Sequence, residues 1–387
     1  MYNYSNNDLK INKINILPEI IKGNKILKNK DMTIFNSSCL PLKNSSDILI
    51  ASRGWYGNIR SWDGINYIIL SIFNKNYKKK YQNIIDFDDE VIQNNMKFKQ
   101  YKRKIIIHEK TKLDGPEDPR LFYFNNDIYI LINELQDNKR LMFLATIDLS
   151  TLNYNSPKSV ICRLQSTVFE KNWGPFIYKK KMHMLYDINP LKILEVDPDY
   201  KCKLIINKKN NVISSIEKSF GDLKFHLRNS TNLIKLKNNY LGMGHAVLEY
   251  KNDTDINKLL IPSIDNSQYS KFDKGYFKRF YKLYLGFFYI LDMKKGSIIK
   301  LSPFFQLPSN ESKQELIFFP TSIHLENELL NISYSLGDNR SYIAKIHFEV
   351  VKQSLYNMSE INIQQNFNIN PNYFQELIRN LRVIYGY

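Results

Sequence analysis

Short runs of apolar residues alternate with polar turns along almost the whole chain. The runs are rich in β-branched and aromatic residues, and examples lie at residues 48–52, 67–73 and 284–290. Polar turn segments such as Asn-Asn-Asp at residues 125–127 separate them. Runs of this length and composition, joined by hairpin turns, are typical of β-strands. The pattern therefore predicts an all-β protein.

A longer unit recurs five times within this pattern. Each unit begins with a polar or Gly/Pro-containing segment, continues into a strand and a hairpin turn, and ends with a second apolar strand. The units begin near Phe35, Gly115, Lys171, Arg228 and Phe318. A spacing of roughly 55–90 residues suits four-stranded blades with loop insertions, and radial repetition keeps exposed sheet edges short. The sequence thus predicts a five-bladed β-propeller over residues 31–350.

The two ends of the chain depart from this repeat. Residues 1–30 are polar and rich in Lys and Asn, which predicts an N-terminal arm or a lead-in strand. Residues 351–387 form a C-terminal tail, and Pro371 in this tail suits the first turn of a helix. Apolar side chains then recur at helical spacing, at Phe374, Leu377, Ile378 and Leu381. We expect a helix over residues 371–383 that packs on the outside of the propeller and has a structural role.

Composition limits the classes of protein that need to be considered. The chain is 43% apolar, with 26 Tyr and 23 Phe, which supports a packed core and excludes a disordered protein. The formal net charge is +17, which favours anionic partners. The abundance of Asn, Ile and Tyr is typical of AT-biased coding, however, and that bias alone raises the number of lysines. A nucleic-acid interface would rest on charge alone, so none is predicted.

The cysteines and the apolar stretches bear on the cellular compartment. Cys39, Cys162 and Cys202 are far apart in sequence and lack metal-ligand spacing, so neither a disulfide framework nor a zinc site is predicted. The N-terminus lacks an apolar signal core, and the longest apolar stretch, residues 284–291, is too short to span a bilayer. We expect a soluble cytoplasmic protein without a membrane span, and we make no prediction of its oligomeric state.

Polar residues at the start of each unit are the candidates for function. In a propeller the innermost strands surround the central channel, so these residues are expected to converge there. Carboxylates, amides, hydroxyls, an aromatic ring and guanidinium groups together are typical of a carbohydrate pocket. The candidates are Asn36, Ser37, Arg53, Arg60, Glu117, Asp118, Arg120, Lys171, Asn172, Trp173, Arg228, Ser230, Thr231, His245, Asp338 and Arg340.

The densest motif is Gly-Pro-Glu-Asp-Pro-Arg-Leu at residues 115–121. Pro119 biases Asp118 towards an extended conformation, and Arg120 can hold an adjacent carboxylate in place. This arrangement suits a pre-oriented acid. The alternative is a turn in which Asp118 caps the backbone and Arg120 pairs with Glu117.

The motif Glu117-Asp118-Pro119-Arg120, with the Asn36-Ser37 pair before it, resembles glycoside hydrolase family 130. This family contains β-mannoside phosphorylases and hydrolases, and it is related to β-1,2-mannosyltransferases of the same propeller fold. The similarity covers roughly residues 33–350. It implies an inverting enzyme in which Asp118 is the general acid. In the family's mechanism the proton passes through a hydroxyl of the bound mannose, while phosphate or water attacks the anomeric carbon from the opposite face.

The resemblance also suggests roles for the other candidates. Sugar contacts are implied for Asn36, Ser37, Arg53, Arg60, Glu117, Arg120, Asn172, Trp173 and Asp338. Phosphate contacts are implied for Lys171, Arg228, His245 and Arg340, with Arg53 or Arg60 beside them. Two Asp-x-Asp segments, residues 86–88 and 197–199, do not lie in an alternating β/α pattern, so no metal is predicted. No cofactor is expected, and inorganic phosphate or a sugar nucleotide would serve as co-substrate.

Together these observations predict a carbohydrate-active enzyme that makes or cleaves mannoside-type linkages with Asp118 as general acid/base. A glycosyltransferase or phosphorylase is favoured over a hydrolase, because arginines and lysines outnumber spare carboxylates at the start of the units. A hydrolase would need a second carboxylate to activate water, for which Glu117, Asp187 and Asp338 are the candidates. The alternative is a non-catalytic propeller that binds a glycan or a protein partner. That alternative predicts that Asp118, Arg60, Arg228 and Asp338 lie on separate surfaces.

Overall fold

Five small sheets follow one another around a ring in the computed structural model of the chain. The structure describes residues 9–13, 32–58, 63–85, 115–136, 139–155, 157–162, 171–220, 223–250, 282–307, 317–338 and 340–367. The prediction of an all-β, five-bladed propeller is confirmed. The predicted helix at residues 371–383 lies outside the described residues.

The first strand in the chain belongs to the last blade. This strand is β1 (Leu9–Lys13), and it pairs antiparallel with the outer strand of the fifth sheet. The first blade is a four-stranded antiparallel sheet of consecutive strands. It consists of β2 (Met32–Pro41), β3 (Ile48–Asn58), β4 (Asp63–Phe73) and β5 (Lys79–Ile85).

The second and third blades add short strands at their outer edges. The second contains β6 (Glu117–Phe124), β7 (Asp127–Gln136), β8 (Lys139–Asp148), β9 (Asn153–Tyr154) and β10 (Lys158–Ser159). The third contains β11 (Ile161–Cys162), β12 (Gly174–Tyr178), β13 (Lys181–Ile188), β14 (Leu191–Val196) and β15 (Lys201–Lys208). The short strand β11 runs parallel to β15 and makes Cys162 and Cys202 direct neighbours, which their sequence spacing did not indicate.

The inner strand of the fourth blade is interrupted. Its two parts, β16 (Leu223–Asn229) and β17 (Ile234–Lys235), both pair with the next strand, β18 (Tyr240–Tyr250). The outer strands are β19 (Lys282–Asp292), β20 (Ser297–Leu301) and β24 (Tyr356–Asn357). The fifth blade contains β21 (Phe318–Glu326), β22 (Leu329–Leu336) and β23 (Arg340–His347), and β1 completes it.

The inner strands close the ring. In the order of the blades, β2 contacts β6, β6 contacts β12, β12 contacts β17, β17 contacts β21, and β21 returns to β2. Apolar clusters fill the contacts between neighbouring blades. Leu49 of the first blade shares one cluster with Leu121 of the second, and Ile50 shares another with Ile343 of the fifth. This packing leaves polar side chains of the inner strands around the centre of the ring.

Helices are short and peripheral among the described residues. They are α1 (Asn211–Lys218), α2 (Phe348–Gln353) and α3 (Ile363–Asn366), with a 3-10 turn at Met358–Glu360. Asn210 is the N-cap residue of α1, and its side chain accepts hydrogen bonds from the backbone N–H groups of Val212 and Ile213. Within the described ranges, no helix has the length and apolar composition that a membrane crossing requires.

Candidate active site

Irregular pairing near the centre of the ring gives the inner strands their shape. Three of these strands shift register against their neighbours, between Phe35 and Ser38, between Glu117 and Arg120, and between Pro320 and Ser322. A β-bulge inserts an extra residue, bends its strand and re-aims a side chain. The bulges coincide with the polar segments from which the function was predicted.

Two bulge residues have left-handed backbone conformations. The φ angle is +50° at Asn36 and +49° at Asp118, and Asn and Asp adopt this region more readily than most residues. The expectation that Pro119 holds Asp118 extended is therefore wrong. The bulge imposes the local conformation, because the strands on both sides must keep their pairing.

The Asp118 carboxylate is held through one oxygen. Oδ1 accepts hydrogen bonds from Asn36 Nδ2 at 2.7 Å and from Arg53 Nη1 at 3.3 Å, and 11% of the side chain is exposed. Burial alone would raise the pKa of this carboxyl. The positive charges of Arg53 and Arg120, the hydrogen bond from Asn36 and the charge of Lys171 outweigh burial and lower the pKa below its ordinary value of 3.8. Asp118 is therefore ionised at neutral pH.

Glu117 faces a buried polar network. Its Oε1 contacts Arg53 Nη2 at 2.8 Å, Arg140 Nη2 at 2.9 Å and Asn66 Nδ2 at 3.1 Å. Arg53 Nε donates to Asn66 Oδ1 at 2.7 Å, and Arg140 Nη1 donates to Asn133 Oδ1 at 3.1 Å. Arg140, Asn66 and Asn133 were not predicted from the sequence, because they lie on the second or third strand of a blade and not at the start of a unit. The available signal was a polar residue within an otherwise apolar strand.

Arg120 is bound mainly by backbone carbonyl groups. Its Nε donates to the carbonyl oxygen of Ser230, and its Nη1 donates to those of Asp118 at 3.1 Å and Pro119 at 3.0 Å. The alternative in which Arg120 pairs with Glu117 is therefore wrong. Arg120 is 2% exposed, and its Nη2 atom has no hydrogen-bond partner among the described residues. Burial lowers the pKa of Arg120 to about 10, although Asp118 opposes this shift.

Two cations, Lys171 and Arg228, and the histidine His245 lie near Asp118 and Arg120. Surrounding protein atoms partly desolvate Lys171 and lower its pKa, although the residue keeps surface that is open to solvent. Asp118 and Glu117 oppose this shift, and Arg228 adds to it. Burial and the charges of Arg228, Lys171 and Arg120 hold the pKa of His245 well below 6.5. Lys171 and Arg228 both have exposed side chains, whereas His245 is buried. The site therefore combines accessible cations with a buried, uncharged imidazole.

The surroundings of His245 fix its orientation. Its Nδ1 is 2.5 Å from Ser230 Oγ, and its ring stacks on Tyr284 with a centroid distance of 5.2 Å. Thr231 is buried and donates through Oγ1 to backbone carbonyl groups, including that of Met243 at 3.2 Å. Ser230 thus touches both the imidazole and, through its carbonyl, the Arg120 guanidinium.

The fifth blade adds a further carboxylate. Asp338, at φ +52° in the turn between β22 and β23, raises the pKa of Arg53 through its charge. Asp118 and Asp338 both act on Arg53, while Arg228 acts on Lys171 and His245, which Asp118 also affects. Arg340 is half-buried at the start of β23, next to this turn. Arg60 lies outside the described residues.

Three predicted sugar contacts have other surroundings. Ser37 is fully buried, and its Oγ is 2.7 Å from Ser52 Oγ and 2.9 Å from Ser341 Oγ. Trp173 is 1% exposed and packs on Tyr186 within the apolar contact of the second and third blades. The backbone carbonyl of Asn172 accepts from Asn229 Nδ2 at 3.4 Å. Ser37 and Trp173 thus join neighbouring parts of the ring.

The remaining acidic candidates have other partners or lie outside the described residues. Asp187 pairs with Lys192, with Oδ2 and Nζ 3.5 Å apart. The segment at residues 86–88 lies outside the described residues, and residues 197–199 form the turn before β15. The described part of the chain has no group of three or more His, Cys, Asp or Glu side chains placed to hold a metal ion.

Comparison with known structures relates this ring to enzymes that act on carbohydrates. No protein-family model matches the chain, and no curated protein matches its sequence. The β-1,2-mannobiose phosphorylase from Listeria innocua, solved with β-1,2-mannobiose, superposes with a TM-score of 0.51 at 10% identity, over 84% of this chain and 94% of that one. The chain shares its fold with this phosphorylase. The resemblance inferred from the motif is thereby confirmed at the level of the fold.

Two more distant structures have related names. A glycosyl hydrolase from Bacteroides ovatus gives a TM-score of 0.49 at 12% identity, over 81% of this chain and 83% of that one. The GDP-Man-dependent mannosyltransferase MPT-1 from Leishmania mexicana gives 0.42 at 10% identity, over 82% and 86%. At these identities the similarity concerns the fold alone, so the chemistry has to be argued from the site.

Proposed function

We propose that this protein is a carbohydrate-active enzyme that makes or cleaves a mannoside-type linkage, with Asp118 as general acid/base. The proposal rests on how the two oxygens of the Asp118 carboxylate are bound. Its carboxylate is fixed through Oδ1 by Asn36 and Arg53, while no side chain in the described ranges donates to Oδ2. One oxygen is thus oriented by the protein and the other is available to a substrate hydroxyl. The shared fold with a mannobiose phosphorylase makes mannosides the first substrate class to test.

The charge balance of the centre favours an anionic co-substrate. Glu117 is paired with Arg53 and Arg140, so these two arginines compensate most of its charge. Arg120 and Lys171 lie near Asp118, Arg228 acts on Lys171, and Arg120 Nη2 is buried with no hydrogen-bond partner among the described residues. Arginine and lysine in this arrangement suit phosphate oxygens. Inorganic phosphate or the phosphates of a sugar nucleotide would satisfy these donors, without a metal or another cofactor.

The protonation state of Asp118 agrees with a reversible transfer. In the direction of phosphorolysis Asp118 delivers a proton to the leaving oxygen, the C1–O bond breaks, and a phosphate oxygen bonds to C1 from the opposite face. A bound phosphate would partly neutralise the cations that keep Asp118 ionised, so its pKa would rise when the co-substrate binds. In the direction of synthesis the ionised carboxylate accepts a proton from the acceptor hydroxyl. One side chain therefore serves both directions.

Hydrolysis is less favoured because it requires a second carboxylate to activate water. Glu117 contacts two arginines and an asparagine, and Asp187 pairs with Lys192. Asp338 is the remaining candidate. A non-catalytic glycan-binding propeller is a separate possibility that the fold does not distinguish. In that case the Asp118→Asn variant would retain glycan binding and no conditions would reveal turnover.

The test uses purified protein and two assay series. In one series β-mannosides are incubated with phosphate and the release of sugar 1-phosphate is followed. In the other, GDP-mannose and acceptor glycans are supplied and nucleotide release is followed. Phosphate-dependent sugar 1-phosphate would establish a phosphorylase, and nucleotide release with a new glycan would establish a transferase. Release of free mannose without either co-substrate would establish a hydrolase.

The control for the acid/base role is Asp118→Asn, which has the same shape but cannot exchange a proton. Loss of a general acid/base lowers turnover by roughly 10²–10⁴-fold. Circular dichroism and thermal unfolding would show that the variant is folded. Full activity of a folded Asp118→Asn protein would contradict the assignment.

A further inference from the structure

A buried ionic network next to Asp118 joins the first blade to the second. Glu117 lies at its middle and contacts Arg53 of β3, Asn66 of β4 and Arg140 of β8. These four residues are each no more than 6% exposed. Buried charged groups are retained only when they are paired and hydrogen-bonded, so the network is a specific arrangement.

We propose that Glu117 and Arg140 are positioning residues, which hold the Arg53 guanidinium so that it fixes the orientation and charge of the Asp118 carboxylate. The inference rests on the proposed function in that it takes Asp118 as the acid/base. It gives Glu117 a different role from the sugar contact that the resemblance implied. Neither Glu117 nor Arg140 then needs to touch substrate.

The geometry of Arg53 supports this role. Nε donates to Asn66 Oδ1 at 2.7 Å and Nη2 contacts Glu117 Oε1 at 2.8 Å. A guanidinium group is planar and rigid, so two anchored nitrogens determine where the third points. The third, Nη1, contacts Asp118 Oδ1 at 3.3 Å. The contact of Arg53 Nη1 with Asp118 therefore depends on Glu117 and Asn66 as well as on Arg53 itself.

Arg140 controls how strongly Glu117 binds Arg53. Its Nη2 contacts the same Oε1 atom of Glu117 that Arg53 contacts, and Asn133 holds its Nη1. With Arg140 present, Glu117 is shared between two cations and Arg53 keeps positive charge for Asp118. Without Arg140, Arg53 alone would compensate Glu117 and less of its charge would act on Asp118.

The two ends of the network should act on Asp118 in opposite directions. Removing the positive charge of Arg140 should raise the pKa of Asp118. Glu117→Gln removes a negative charge but keeps an oxygen that can accept from Arg53, so it should leave the pKa of Asp118 low or lower it. The other groups that act on Asp118 are unchanged by either substitution. They are Asn36, Arg120, Lys171 and His245, while Arg228 and Asp338 act on the neighbouring Lys171 and Arg53. Arg140 also acts on Asp118 directly through its charge, so a variant of Arg53 is needed to isolate positioning.

The experiment is a titration of Asp118 in the ligand-free protein. Aspartate is labelled with ¹³C at the carboxyl group, and the Asp118 signal is assigned as the one missing from Asp118→Asn. The pH midpoint of the Asp118 titration is then compared between the wild type, Arg140→Gln and Glu117→Gln. We expect Arg140→Gln to raise the midpoint by roughly 0.5–1 pH unit and Glu117→Gln not to raise it. An unmoved midpoint in Arg140→Gln, or a rise in both variants, would overturn the proposal.

Two further variants separate positioning from simple loss of packing. Arg140→Lys keeps the charge and should restore the midpoint most of the way to the wild-type value. Arg53→Lys keeps the charge but lacks the planar fork, so we expect a raised midpoint in spite of the unchanged formal charge. If Arg140→Gln does not fold, the Arg53→Lys variant provides the test. An Asp118 titration midpoint that is the same in Arg53→Lys as in the wild type would contradict the proposal.

The titration does not depend on turnover. Midpoints that move as stated in a protein inactive on every sugar would support the positioning role and contradict the proposed function. An active enzyme whose Asp118 midpoint does not change in Arg140→Gln would support the proposed function and contradict the positioning role.

Discussion

At the scale of single residues, the same positive charges have opposite effects on two buried groups. Arg120 and Lys171 help to keep Asp118 ionised, and they help to keep His245 uncharged. A positive field stabilises a carboxylate and disfavours an imidazolium ion. An anion bound among these cations would therefore raise the pKa of both groups together.

The neutral state of His245 makes stability depend on pH. The pKa of His245 lies well below 6.5 in the folded protein, while the unfolded chain binds a proton near 6.5. Stability is therefore lost as pH falls from about 6.5 towards the folded-state pKa, because the unfolded chain takes up the proton first. We expect His245→Gln to flatten the curve of unfolding free energy against pH between 7 and 5, measured by urea denaturation.

The matched control is the exposed His226 on the same blade. The His226→Gln variant should keep the slope of the wild-type curve. Equal slopes in the wild type and in His245→Gln would show that His245 is not the source of this acid sensitivity.

Some of these residues could be grouped from the sequence and others could not. Asn36, Arg53 and Asp118 each follow a recognisable turn or motif at the start of a unit, and the structure brings them into contact. Arg140 and Asn66 do not lie at the start of a unit. Arg140 meets Glu117 only when β6, β7 and β8 have formed the second blade, and Asn66 meets it only when the first blade packs on the second. Side-chain pairing of this kind depends on the tertiary structure.

At the scale of single elements, β18 shows how closely strands approach near the site. A Cβ atom on Gly244 would collide with the carbonyl oxygen of Arg228 and the ring of Phe287. A Cβ atom on Gly242 would collide with the ring of Tyr289. The glycines on either side of Met243 are thus required by the approach of both neighbouring strands, and His245 follows directly after them.

The close packing of β18 can be tested with one methyl group. Gly244→Ala should lower the free energy of unfolding by roughly 1–3 kcal/mol, because neither the Arg228 backbone nor the Phe287 ring can move without disturbing the sheet. Chemical denaturation gives the value. Asn238→Ala, in the exposed turn before β18, should change it by less than about 0.5 kcal/mol. A neutral Gly244→Ala would mean that the strands separate more easily than described.

The strands were predictable because their composition and turns are local features, whereas α1 and the bulges were not. The α1 sequence, Asn-Val-Ile-Ser-Ser-Ile-Glu-Lys, has three β-branched apolar residues and only two buried side chains, Ile213 and Ile216. These apolar residues do lie on one helical face, but the segment is only eight residues long and its β-branched residues favour strands, so it resembles the strands around it. The bulge at Asp118 follows from the register of a neighbouring strand, which a single stretch of sequence does not reveal.

At the scale of the whole molecule, the ring is closed by pairing between distant parts of the chain. Residues of β1 pair with β23 over five positions, from Leu9 with Ile346 to Lys13 with Tyr342. The recurring units made the propeller predictable. The pairing of β1 was not, because nothing in its polar sequence identifies a partner more than 300 residues away.

Proline substitutions test this closure. In an antiparallel pair, neighbouring residues alternate between those that bond to the partner strand and those that do not. Of Ile11→Pro and Asn12→Pro, one should therefore remove a hydrogen bond to β23 and destabilise the protein by roughly 1 kcal/mol or more. The other should have a much smaller effect. Thermal unfolding would distinguish them, and equal effects would contradict the pairing.

The pairing of β1 with β23 also sets an order of events during protein synthesis. Leu9 leaves the ribosome early, but its partner Ile346 is added 337 residues later. At about 5–20 residues per second this interval is roughly 17–70 s. Throughout that time β1 has no strand to pair with and the fifth blade is incomplete. The nascent chain can build its first three blades and most of the fourth in turn, but β24 of the fourth blade and the closing strand pair both wait until nearly the whole chain has been translated.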